Sequence, residues 1–88
     1  MPLNSVVLDV MKPIKGPSIV DLAESIAKVE GVKKVIIKVT ETDTETITML
    51  VTVQGDEFDF DDVKQTIEQN KGVIRSVDLV VASSYGEE

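Results

Sequence analysis

Whatever chemistry this chain performs must be carried by carboxylates, amines and hydroxyls, because its 88 residues include no cysteine and no histidine. The first absence removes thiolate nucleophiles, disulfides, iron–sulfur clusters and thiolate zinc sites. The second removes the commonest general base and the commonest transition-metal ligand, so histidine-based triads are excluded. Any metal would have to be a hard, oxygen-bound one. The carboxylate that stands out is Asp9, set inside the apolar stretch "VVLDVMKP", Val6 to Pro13. Face parity allows Ser76 or Asp78, both in "RSVDLVV" near the other end, as its cross-strand neighbour. Two carboxylates facing each other across a strand pair lie about 4.5–5.5 Å apart at Cβ and repel unless a proton, a cation or a basic group comes between them. Ca²⁺ or Mg²⁺, held by Asp9, Asp78 and nearby hydroxyls, would answer that need. The simpler reading gives Asp9 a hydrogen bond from Thr48 or Ser76, or a lysine from a neighbouring subunit.

Two other stretches invite a site. "GDEFDFDD", Gly55 to Asp62, is the densest run of acids, but it lacks the ligand spacing and closing glutamate of an EF-hand. Capping and the helix dipole explain acids at a helix start without a ligand. "KPIKGPS" offers Lys12, Lys15 and Ser18 ahead of a helix N-terminus, a geometry that can hold an anion. Its glycine and lysine spacing is not that of a phosphate-binding P-loop.

The elements that must position these residues are legible from periodicity. Leu3 to Met11, rich in valine and followed by Pro13, Gly16 and Pro17, reads as a first strand. Ser18 with Asp21 forms a capping-box-like start, and Ile19, Leu22, Ala23, Ile26 and Val29 recur at helical spacing up to Gly31. Val35, Ile37 and Val39 alternate with polar residues, and after "ETDTET" so do Ile47, Met49, Val51 and Val53, giving a hairpin. Asp59 caps a second helix striped by Phe60, Val63 and Ile67 and closed by Gly72. Val73 to Ala82 is a last strand, and "SSYGEE" (83–88) a frayed tail. The order β-α-β-β-α-β predicts a single α+β, ferredoxin-like domain: a four-stranded antiparallel sheet ordered 4-1-3-2, with both helices on one face.

The other face is then bare. Strict alternation places Val7, Asp9, Ile36, Leu50, Ile74, Asp78 and Val80 there, with Val73, Val77, Leu79 and Val81 toward the helices. A solvated sheet face is normally more polar than this. The mixture reads as a protein–protein interface through Val7, Ile36, Leu50, Ile74 and Val80, so the expected partner is a second copy of the chain.

Composition bounds the remaining possibilities. Nine basic against sixteen acidic residues give a formal charge of −7, which opposes binding to a nucleic-acid backbone. No apolar run approaches the roughly 20 residues that span a bilayer. No basic and apolar leader opens the chain, so a cytoplasmic location is expected. RNA-recognition modules of this shape stack bases on sheet aromatics, yet Phe58, Phe60 and Tyr85 all fall off the sheet face. Ferredoxin-like acylphosphatases place an arginine in the first loop, where this chain has none; its only arginine is Arg75.

"DLAESIAKVEGVKKVIIKV" resembles the helix, turn and strand of ACT and heavy-metal-associated domains, the latter without their Cys-x-x-Cys. A fuller resemblance runs over nearly the whole chain. "LDVMKP", "SIVDLAESIAKVEGV", an acidic hairpin and "GVIRSVDLVVAS", in that order and spacing, are similar to the archaeal family called domain of unknown function 211 (DUF211). The resemblance implies a ferredoxin-like fold, an archaeal source, a multi-subunit assembly and an unassigned biochemical role. It also implies acids at the positions of Asp9 and Asp78, both kept here, whereas Leu79 stands where relatives carry another acid. Together these readings predict a self-assembling, non-enzymatic binding or regulatory module, with a divalent cation or small metabolite as ligand. The competing readings are a purely structural oligomer subunit and an enzyme using Asp, Lys, Ser and Thr.

Overall fold

The computed structural model describes residues 3–84. Its elements are β1 (Leu3–Pro13), α1 (Ile19–Ala27), β2 (Val32–Thr42), β3 (Thr46–Phe58), α2 (Phe60–Gln69) and β4 (Val73–Ala82). All pairings are antiparallel and the sheet order is β2-β3-β1-β4, the expected ferredoxin-like arrangement. Of the tail expected to fray, residues 85–88 lie outside the described range.

Local chemistry explains where the helices begin. The Ser18 hydroxyl accepts from the Asp21 backbone N–H while the Asp21 carboxylate accepts from the Ser18 N–H, so two otherwise orphaned donors are satisfied at the start of α1. Asp59 caps α2 with a single such bond, accepting from the Asp61 N–H at 2.8 Å. The turn from α1 into β2 depends on Gly31, whose φ of +89° lies in the left-handed region. A Cβ there would strike the Glu57 carbonyl, and one at Gly55 would strike the Gly31 carbonyl. The two glycines let the starts of β2 and the end of β3 touch backbone to backbone.

The core lies between the helices and one sheet face. Val6, Leu8 and Val10 of β1 and Met49, Val51 and Val53 of β3 alternate inward against Leu22 and Ile26 of α1 and Val63 and Ile67 of α2. All ten are essentially inaccessible to solvent. Because the inward residues of both central strands meet both helices, the helices share one side and the opposite side carries no layer.

The outer strand β4 departs from strict alternation. Its ladder with β1 pairs Val6 with Val80, Val7 with Leu79, Leu8 with Val77, Asp9 with Ser76, Val10 with Ile74 and Met11 with Val73. Register shifts between Val7 and Leu8 and between Asp9 and Val10 mark two irregularities, at Asp78 and at Arg75. Directly opposed residues share a face. Ile74 and Val80, expected on the bare face, therefore lie on the helix side, with Ile74 packed against the core. Val73, Leu79 and Val81 are correspondingly transferred to the bare face.

Candidate functional site

The bare face is where Asp9 and its candidate partners collect. Val7, Asp9 and Met11 come from β1, Thr48, Leu50 and Thr52 from β3, and Lys34, Ile36 and Lys38 from β2, all by alternation away from the core, Thr48 alone among them being buried. The register answers which residue faces Asp9: it is Ser76, not Asp78. The acid nevertheless finds its counter-charge from the neighbouring position. Arg75 Nε donates to Asp9 Oδ1 at 3.2 Å, with the Asp9 side chain a quarter exposed and that of Arg75 nearly half. The irregularity at Arg75 swings this side chain toward the face that carries Asp9. Sequence reasoning missed Arg75 as the partner, because strict alternation points it toward the helices.

Asp78 is held separately. The Ser76 hydroxyl donates to Asp78 Oδ1 at 2.7 Å, and no lysine or arginine among the described residues forms an ion pair with Asp78. The two acids proposed to share a cation thus have different partners within one subunit: a guanidinium for Asp9 and a hydroxyl for Asp78. Among the described residues no group of three or more acids is disposed to hold a metal ion.

The three residues expected to bind an anion do not form one site. Lys12 is not in the turn; β1 continues through Pro13, and Lys12 occupies the next inward position after Val10, fully buried. Its Nζ donates to the Pro13 carbonyl at 2.6 Å. Ser18 is engaged with Asp21, whose carboxylate already fills the N-terminus of α1. Lys15 lines a cleft of about 440 Å³ between the turn after β1 and the β2–β3 hairpin, alongside Ile14, Thr44 and Glu45. Glu45 puts a negative charge in the same cleft, which opposes an anion there.

At the opposite end a shallow depression of about 620 Å³ is bordered by Glu30, Glu57, Asp59 and Asp62 around Phe60. Three of these acids belong to the "GDEFDFDD" run, and Glu30 joins them from the turn after α1. Asp59 is committed to capping α2, as the sequence suggested.

The helix layer leaves the outer strands partly uncovered. Nine large apolar side chains are substantially exposed among the described residues: Ile14, Val20, Ile36, Val39, Val73, Val77, Leu79, Val80 and Val81. Seven of the nine belong to the edge strands β2 and β4, and none to the central pair. Of the five residues expected to form an interface, Ile36 is exposed, Val7 and Leu50 are half-buried on the bare face, and Val80 is exposed on the helix side beyond the helices' reach. Ile74 is half-buried against the core. No helix among the described residues is long and apolar enough to cross a membrane.

Comparison with known proteins adds to this geometry. Residues 4–86 match the profile of a family described as uncharacterized, DUF211. The chain is also 39% identical over 80 residues to an uncharacterized protein of the archaeon Methanocaldococcus jannaschii, an alignment covering 91% of this chain and 81% of that protein.

Proposed function

This chain belongs to the DUF211 family, and from its own geometry we propose that it is a self-assembling module that works as an oligomer of identical subunits, in a binding or structural rather than a catalytic role. The observation that carries this reading is the concentration of exposed apolar side chains on the two edge strands. In an antiparallel sheet with one bare face, outward positions are ordinarily polar. Here β4 exposes Val73, Leu79 and Val81 on one side and Val77 and Val80 on the other, the composition of a strand meant to be covered on both. Small domains bury a modest share of their surface, so burial between subunits adds usefully to their stability.

The absence of cysteine and histidine supports a non-catalytic role, as does the commitment of the most promising acid, Asp9, to a structural pair with Arg75. A small metabolite or a divalent cation would meet the protein on the bare face, where Asp78 offers a carboxylate without a cationic partner among the described residues.

Light scattering coupled to size-exclusion chromatography tests the assembly. The expected result is a mass that is a multiple of the 9.6 kDa chain at micromolar concentration. A monomeric mass at that concentration overturns the reading.

A further inference from the structure

We propose that the β4 edge of one copy is completed by the β2 edge of the next, so that subunits join head to tail through a sheet that continues from copy to copy. The inference rests on the self-assembly reading and specifies which surfaces meet.

Three observations converge on it. Both edge strands, and neither central strand, expose apolar side chains, Ile36 and Val39 on β2 and five residues on β4. A self-paired β4 would cover only one of these edges, whereas a heterologous contact covers both with a single kind of interface. Direction is the second point. Successive strands of the sheet are antiparallel, so with the order β2-β3-β1-β4 the two edges run in opposite directions. A copy placed beyond β4 in the same orientation therefore presents its β2 antiparallel to β4, and the ladder continues with strands of 10 and 11 residues.

Charge chooses between the alternatives. Among the described residues Arg75 is taken by Asp9 and Lys33 by Asp56, which leaves Asp78 on β4 without an ionic partner and, on β2, Lys34 and Lys38 against the single acid Glu41. Asp78 bonds Ser76, which faces Asp9, and Lys38 is paired with Leu50, so all lie toward the bare face. A β4–β2 contact brings the unpaired carboxylate to the unpaired ammonium groups. A β4–β4 contact about a two-fold axis would bring Asp78 toward its own copy and leave the lysines of β2 unused. Lysines commonly guard an edge against promiscuous pairing; on β2 they also select an acidic partner edge.

A complementation experiment decides it. One variant carries a blocked β4 edge (Leu79→Lys with Asp78→Lys) and another a blocked β2 edge (Ile36→Glu with Lys38→Glu), all at exposed positions; circular dichroism and thermal melting confirm that each folds. The expected result is that each variant alone is a monomer by light scattering, while an equimolar mixture assembles, because each supplies the edge the other has kept and the two altered edges carry opposite charges. If the β2-blocked variant alone remains a dimer, pairing is β4 to β4 and the proposal fails. If wild type assembles and both variants assemble like it, the edges are not the contact and the proposal fails while self-assembly stands. A monomeric wild type overturns both. Should a blocked variant not fold, the exchanges Asp78→Lys and Lys38→Glu are made singly and together instead; assembly that is lost in each single variant and recovered in the chain carrying both supports the proposal, and unchanged assembly in both single variants refutes it.

Discussion

The Asp9–Arg75 pair is a partly exposed ion pair, with side-chain exposures of 25% and 46%. Solvent screening limits such pairs to fractions of a kcal/mol. Asp9→Asn should accordingly cost only about 0.5 kcal/mol in chemical denaturation. With Arg75 already supplying the positive charge to Asp9, any rise in melting temperature that millimolar Ca²⁺, Mg²⁺ or Mn²⁺ brings should be the same in Asp9→Asn as in wild type. A rise in wild type that disappears in Asp9→Asn would instead assign the acid to a cation. Lys12 presents the opposite balance. Its side chain is fully buried in a row of valine and leucine, and the one acceptor found for it is the Pro13 carbonyl. A buried charge with so few partners is costly, and a well-packed apolar replacement is often stabilising. Lys12→Met keeps the length of the side chain and should raise stability by about 1–2 kcal/mol in urea unfolding. A loss of stability would show that the ammonium has a partner that the isolated subunit lacks.

At the scale of elements, tight steric requirements coexist with loosely specified ones. Gly31 and Gly55 approach each other so closely that an added methyl at Gly55 would enter the Gly31 carbonyl, and backbone rather than a flexible side chain would have to give way. Gly55→Ala should therefore destabilise by about 2–4 kcal/mol, visible as a lower denaturation midpoint with an unchanged slope. The same contrast explains what could be read from the sequence. The helices, the central strands and their order were legible because Ser18–Asp21, Asp59 and the alternation of Val6, Leu8, Val10 and Met49, Val51, Val53 each match one period and one face. The register of β4 was not. "VIRSVDLVVA" is apolar at odd and even positions alike, so hydrophobic pattern does not pin its faces. Two irregularities then exchange Ile74 and Val80 for Val73, Leu79 and Val81 and turn Arg75 toward Asp9. The candidate pairing of Asp9 with Asp78 was lost for the same reason. Lys12 was misread because a lysine followed by proline resembles the beginning of a turn, whereas Pro13 sits as the last residue of β1, where its missing N–H is tolerated.

For the whole molecule, charge and assembly pull against each other. Each copy carries a formal −7, and the folded subunit measures 47 × 21 × 17 Å, so neighbours in a continuous sheet bring their charges within a few tens of ångströms. At about 0.01 M salt the screening length is about 30 Å, comparable with those separations, and every subunit feels the whole charge of the next. At about 0.15 M it falls to about 8 Å, which removes most of this long-range repulsion but leaves close contacts between Asp78 and Lys34 or Lys38 less affected. Apolar burial at the strand edges is not weakened by such an increase. Moderate salt should therefore strengthen the assembly, although it contains ion pairs. Since burial between subunits stabilises only the folded, associated form, the melting temperature should also rise with protein concentration. Melting curves at several concentrations, in about 0.01 M and about 0.15 M sodium chloride, measure both effects together. The expected outcome is a midpoint that rises with protein concentration and, at any one concentration, lies higher at the higher salt. A midpoint independent of concentration at both would mean that the exposed valines and leucine of β4 are not covered by another copy, and an assembly that weakens at about 0.15 M salt would give the ion pairs, rather than apolar burial, the dominant part.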